Sequence, residues 1–201
     1  MHTETLTKQE PGTSVKLRLF SLYVDFAASV PARWASGVIT NLVGPMWKTH
    51  CEMWNLNTFK ESQQLRELML QDAAEADVLV IALTSLDQRQ TELIEWLEAV
   101  ANKKAGHLGA GIFIGLLGDE AHEAGELRWT VKRFIGCAQR MGRDFIWQWM
   151  GQGAINDATW LTDNIEKFVS RKQFLSNRDL LQGTGRFGAV WTGLSRLVKF
   201  V

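Results

Sequence analysis

Five apolar runs, each followed by a helical pattern, take up most of this 201-residue chain. The runs are Val15–Val24, Thr49–Leu56, Val78–Leu83, Ile112–Leu117 and Phe145–Met150. Strands separated by helices cannot pair as tight hairpins, so they pair in parallel through crossover helices. The alternation therefore predicts a three-layer α/β sandwich. It also predicts where a ligand would sit, because open parallel sheets bind at the carboxyl ends of their strands, beside the point where strand order reverses.

The helical stretches are predicted at Val30–Leu42, Phe59–Ala76, Gln90–Asn102, Glu126–Met141 and Asp157–Val169. Ser29 is the expected cap of the first, with Pro31 in its first turn. VLVIAL at Val78–Leu83 is apolar without alternation, as a central strand buried on both faces must be. Five βα units in succession make up the inventory of a flavodoxin-like fold with strand order 2-1-3-4-5.

Length and composition, at 46% hydrophobic and 22% charged, support one domain over residues 15–170. Residues 1–14 are polar and read as a disordered leader with no apolar signal core. No run is long enough to cross a membrane, and two isolated cysteines, Cys51 and Cys137, frame neither a disulfide scaffold nor a zinc site. A cytoplasmic protein is expected.

The chain carries no net charge, which argues against a nucleic-acid partner. Residues 171–201 nevertheless hold six basic side chains and one acid, which the first 170 residues offset. Within them Trp191, Leu194, Leu197, Val198 and Val201 share one helical face. This basic amphipathic C-terminal extension is expected to pack on its own domain, on a protein partner or in a homodimer.

The order 2-1-3-4-5 puts the reversal between the first and third strands, so the candidate rim residues are Asp25, Ser29, Thr84, Ser85, Asp87, Asp119 and His122. Asp25, Asp87 and Asp119 have the chemistry to hold magnesium, though loop acids more often cap helices. His122 has no second histidine at metal-ligand spacing. His50 and His107 are expected at strand entrances, on the wrong side for a site. Phe145, Trp147 and Trp149 share a face and are expected to pack beneath a helix. No cofactor motif or catalytic constellation is complete.

The element order resembles that of response-regulator receiver domains, and Asp25 matches one of their acids at the end of the first strand. The resemblance then fails at three positions. Thr84-Ser85 follows the third strand where a phosphate-accepting Asp is required. Gly118 ends the fourth strand in place of Thr or Ser, and Trp149-Met150 replace the Lys of the fifth. Flavodoxins require a Ser/Thr-Gly phosphate loop, whereas DFAASVPAR has no glycine there. Gly183–Val190 is similar to the glycine-rich loop of protein kinases, but only eleven residues follow it. The stretches DFAASVPARW and AAEADVLVIAL resemble uncharacterised bacterial proteins of flavodoxin-like or receiver-like fold. That resemblance covers residues 15–170 and implies no activity.

Two functional expectations follow. One is a non-catalytic, receiver-like interaction and regulatory module. The other is a binder of, or enzyme acting on, a nucleotide- or phosphate-like ligand at the rim. A filled rim beside an exposed apolar patch marks the first, and a pocket with converging polar groups marks the second.

Overall fold

The computed structural model describes residues 15–44, 47–84, 90–104, 111–118, 124–150 and 158–182. Among them the order is β1 (Val15–Tyr23), α1 (Phe26–Val43), β2 (Trp47–Asn55), α2 (Thr58–Glu61), α3 (Gln63–Glu75), β3 (Val78–Leu83), α4 (Gln90–Lys104), β4 (Gly111–Leu117), α5 (Ala124–Arg140), β5 (Arg143–Trp149) and α6 (Thr159–Gln182). The five strands form one parallel sheet in the order β2-β1-β3-β4-β5, the flavodoxin-like arrangement that the alternation predicts.

Alternation along the strands feeds two cores. Phe20, Leu22, Leu79, Ile81 and Phe113 pack under α3, α4 and α5. Leu17, Leu19, Val80, Ile114 and Leu116 pack under α1 and α6. On the first face Phe20 stacks on Trp96 at 5.8 Å, and Phe113 meets Phe134 and Phe145 at 5.3 and 5.0 Å. On the second, the buried Ser36 hydroxyl donates to Ala32 O at 2.8 Å, so its single proton is used. Ser21 is then the donor in the 2.8 Å Ser21–Ser36 bond.

The structure moves several helix bounds. α1 starts at Phe26, four residues early, because Asp25 is its cap: with extended backbone (φ −140°, ψ 177°), Asp25 accepts from Ala28 N at 2.7 Å. Ser29, expected as the cap, lies inside the first turn, and Pro31, expected in the first turn, falls in the second. The single helix expected over 59–76 is broken at Ser62, whose extended backbone and side-chain bond to Leu65 N start α3 afresh. Gly142, at φ +68°, follows α5, where a left-handed residue ends the helix.

α6 runs to Gln182 rather than Val169. Two ion pairs tie this continuation to the sheet: Arg171 meets Asp144, and Lys172 meets Asp77. Residues 183–201, including the apolar face expected at 191–201, lie outside the described residues, as does the 1–14 leader. No helix among the described residues is long and apolar enough to cross a membrane.

Candidate functional site

The rim at the carboxyl ends of β1 and β3 is built from Asp25, Ser29 and Thr84, and the structure brings the three together. β1 ends as Val24 N donates to Ala82 O, which delivers Asp25 to the reversal point. One Asp25 carboxylate oxygen caps α1 through Ala28 N, and the other accepts the Thr84 hydroxyl. Asp25 O takes Ser29 N at 3.2 Å, and the buried Ser29 hydroxyl folds back onto Phe26 O at 2.6 Å.

The Asp25 carboxylate and the Ser29 and Thr84 hydroxyls thus each have a partner at the β1–α1 corner. Such a cap contributes about 0.5–2 kcal/mol. Ser85, Asp87, Asp119 and His122 lie outside the described residues. Phe145 and Trp149 do pack against the core beneath α5, but Trp147 on the same face is 36% exposed.

Beside the rim, α1 presents an apolar face outward. Its inner positions Ala28, Ala32, Ala35 and Ile39 are buried. On the outside Phe26 is 87% exposed and Val30 54%, with half-buried Trp34 and Val38 continuing the stripe. With Arg33, Gly37 and Asn41 they line an open groove of about 560 Å³.

A second groove, of about 420 Å³, lies at the other end of the sheet between β1, β2 and α3. Pairing sets Lys16 beside Lys48, Arg18 beside His50, and Phe20 beside Glu52. Arg18 pairs with Glu75 on α3, and His50 Nε2 lies 2.6 Å from Glu52 Oε1. Burial, then the adjoining Glu52, pushes the Asp72 carboxyl up to about 7. The hydrogen bond to Asp72, then His50, holds Glu52 below the usual carboxylate range.

Sequence reasoning missed this cluster and placed His50 at a strand entrance; it stands mid-strand in β2. The available signal was the alternation of Lys48, His50, Glu52 with Lys16, Arg18, which marks one sheet face as uncovered. His107 lies outside the described residues.

Cys51 is exposed on β2 and Cys137 buried, both as free thiols. Partial desolvation by the surrounding side chains raises Cys51, whose surface stays exposed, and burial raises Cys137, so neither is primed as a thiolate nucleophile.

No protein-family model matches the chain, and no curated protein matches it.

Proposed function

We propose that this chain is a non-catalytic, receiver-like interaction module that offers the outer face of α1 to a protein partner. The observation that carries this reading is Phe26. A large aromatic that is 87% exposed opens a stripe completed by Val30, Trp34 and Val38. Isolated apolar side chains on a surface mean little, but a contiguous patch marks a contact, and aromatics dominate contact energies. The rim supports the same reading, since Asp25, Ser29 and Thr84 satisfy one another and the α1 backbone.

The test is site-specific crosslinking in cells that express the chain. A photo-reactive phenylalanine analogue replaces Val30, or as a control the exposed Glu67 of α3. Position 30 is expected to yield one discrete protein adduct that position 67 does not, and Phe26→Asp is expected to abolish it. An adduct of twice the chain's mass would name a second copy as the partner. Equal yields at both positions, or none at position 30, would overturn the reading.

A further inference from the structure

Glu52 poses a physical problem that the α1 face does not touch. Its Oε2 atom is buried and has no hydrogen-bond partner among the described residues, although the Trp54 indole N–H is near enough to favour the ionised carboxyl. A buried carboxylate oxygen without a donor costs about 1–3 kcal/mol or more. The Asp72 carboxyl on α3 lines the same groove and is the strongest hydrogen-bonding neighbour of the Glu52 carboxyl. Two carboxylates in contact repel, and neither donates. A single proton held between them removes the repulsion and supplies the missing donor.

We propose that Glu52 and Asp72 share one proton on the acid side of neutrality and act as a latch between edge strand β2 and α3, and that loss of this proton as the pH rises releases the latch. The other charged groups around the pair favour this division. From β2, His50 sits on the Oε1 side of Glu52, and Lys48 is two residues further along the same face. From β1, Arg18 is engaged by Glu75, and Lys16 lies beyond it. From α3, Glu75 adds negative charge that raises the cost of ionising Asp72. His50 favours the ionised form of Asp72 only weakly, and none of these cations forms an ion pair with it among the described residues, so the proton is its means of neutralisation.

The sign follows from linkage. Asp72 holds its proton in the folded chain up to about pH 7, whereas its ordinary value is 3.8. Between those limits the folded state binds a proton that the unfolded state has released. Stability therefore falls as pH rises from about 4 to about 7, and the loss is complete above that. Glu52 acts oppositely on the acid side, where stability is lost as pH falls through its lowered value.

Asp72→Asn gives Oε2 a permanent amide donor. From pH 5 to pH 8 the melting midpoint of the unaltered chain is expected to fall by about 3 °C or more relative to Asp72→Asn. Parallel curves would overturn the proposal. Carboxyl carbon NMR on the unaltered chain reads the proton directly and does not depend on the variant folding. A midpoint near 7 for Asp72 supports the shared proton, and one near 4 overturns it. Hydrogen exchange then reads the latch. After correction for intrinsic rates, β2 amides are expected to lose protection above pH 7 in the unaltered chain alone, and unchanged protection would overturn the release step.

Discussion

Replacing Arg143 with alanine is expected to destabilise the fold by about 2–4 kcal/mol, a large share of a typical domain's stability, because the lost bonds and the cavity outweigh relief of its buried, unpartnered Nε and Nη1. Arg143 opens β5 and is only 2% exposed, a depth at which arginine is rare unless paired. Its Nη2 donates to Ala73 O at 2.8 Å and Ala76 O at 2.7 Å, at the carboxyl end of α3. These carbonyls lack intrahelical partners, and the helix dipole favours a cation there. Burial lowers the guanidinium pKa to about 10 while nearby Asp77 opposes the shift, so Arg143 is still charged at neutral pH.

Alanine strands two buried carbonyls, at about 1–3 kcal/mol each, and leaves a cavity. Arg143→Met restores the volume without the donors, and about half of the loss is expected to remain. Chemical denaturation of both variants separates the two contributions. A loss below about 1 kcal/mol for alanine would show that the α3 carbonyls do not depend on this side chain.

Gly118→Val is expected to cost about 3 kcal/mol or more and to loosen the start of α1. A Cβ at Gly118 would stand 2.8 Å from both Thr84 Cα and Thr84 O, and 3.0 Å from Leu83 O. These are backbone atoms that cannot rotate away, so the cost lies at the upper end of the overpacking range. Gly118 N also donates to Leu83 O at 2.6 Å, which holds the ends of β3 and β4 together. Displacing Thr84 removes the donor to Asp25, so exchange at amides 28 and 29 is expected to quicken along with the lower midpoint. Normal stability would mean that β3 and β4 part here without penalty. The same crowding explains why a hydroxyl residue does not stand at this strand end, where the receiver pattern has one.

The sheet was legible because apolar runs such as Val78–Leu83, set between helical patterns, mark central strands, and five consecutive βα units suggest the order 2-1-3-4-5 without fixing it. The start of α1 was misplaced because Ser29 with Pro31 two residues on makes a cap and first-turn signal that competes with Asp25 four residues earlier. The extended backbone of Asp25 and its bond to Ala28 N decide between them. Arg143 drew no reading from the sequence, because its partners lie near residues 73–76, some 70 positions away. The Glu52–Asp72 pair needed both the β1–β2 register and the break at Ser62 that sets where α3 lies. In each case the missing information was a contact between distant segments, which local periodicity does not carry.

The central claim is that Asp25, Ser29 and Thr84 serve the fold rather than a ligand, and that contact through α1 carries function. Thermal unfolding read by tryptophan fluorescence, against nucleotides, flavins, inorganic phosphate, sugars and Mg²⁺, tests it most directly. A ligand at a hundred times its dissociation constant adds about 2.7 kcal/mol, which moves the midpoint by several degrees. No shift with any of these ligands is the predicted result. A shift of that size that disappears in Thr84→Ala, with that variant still folded, would contradict the claim and make the rim a binding site.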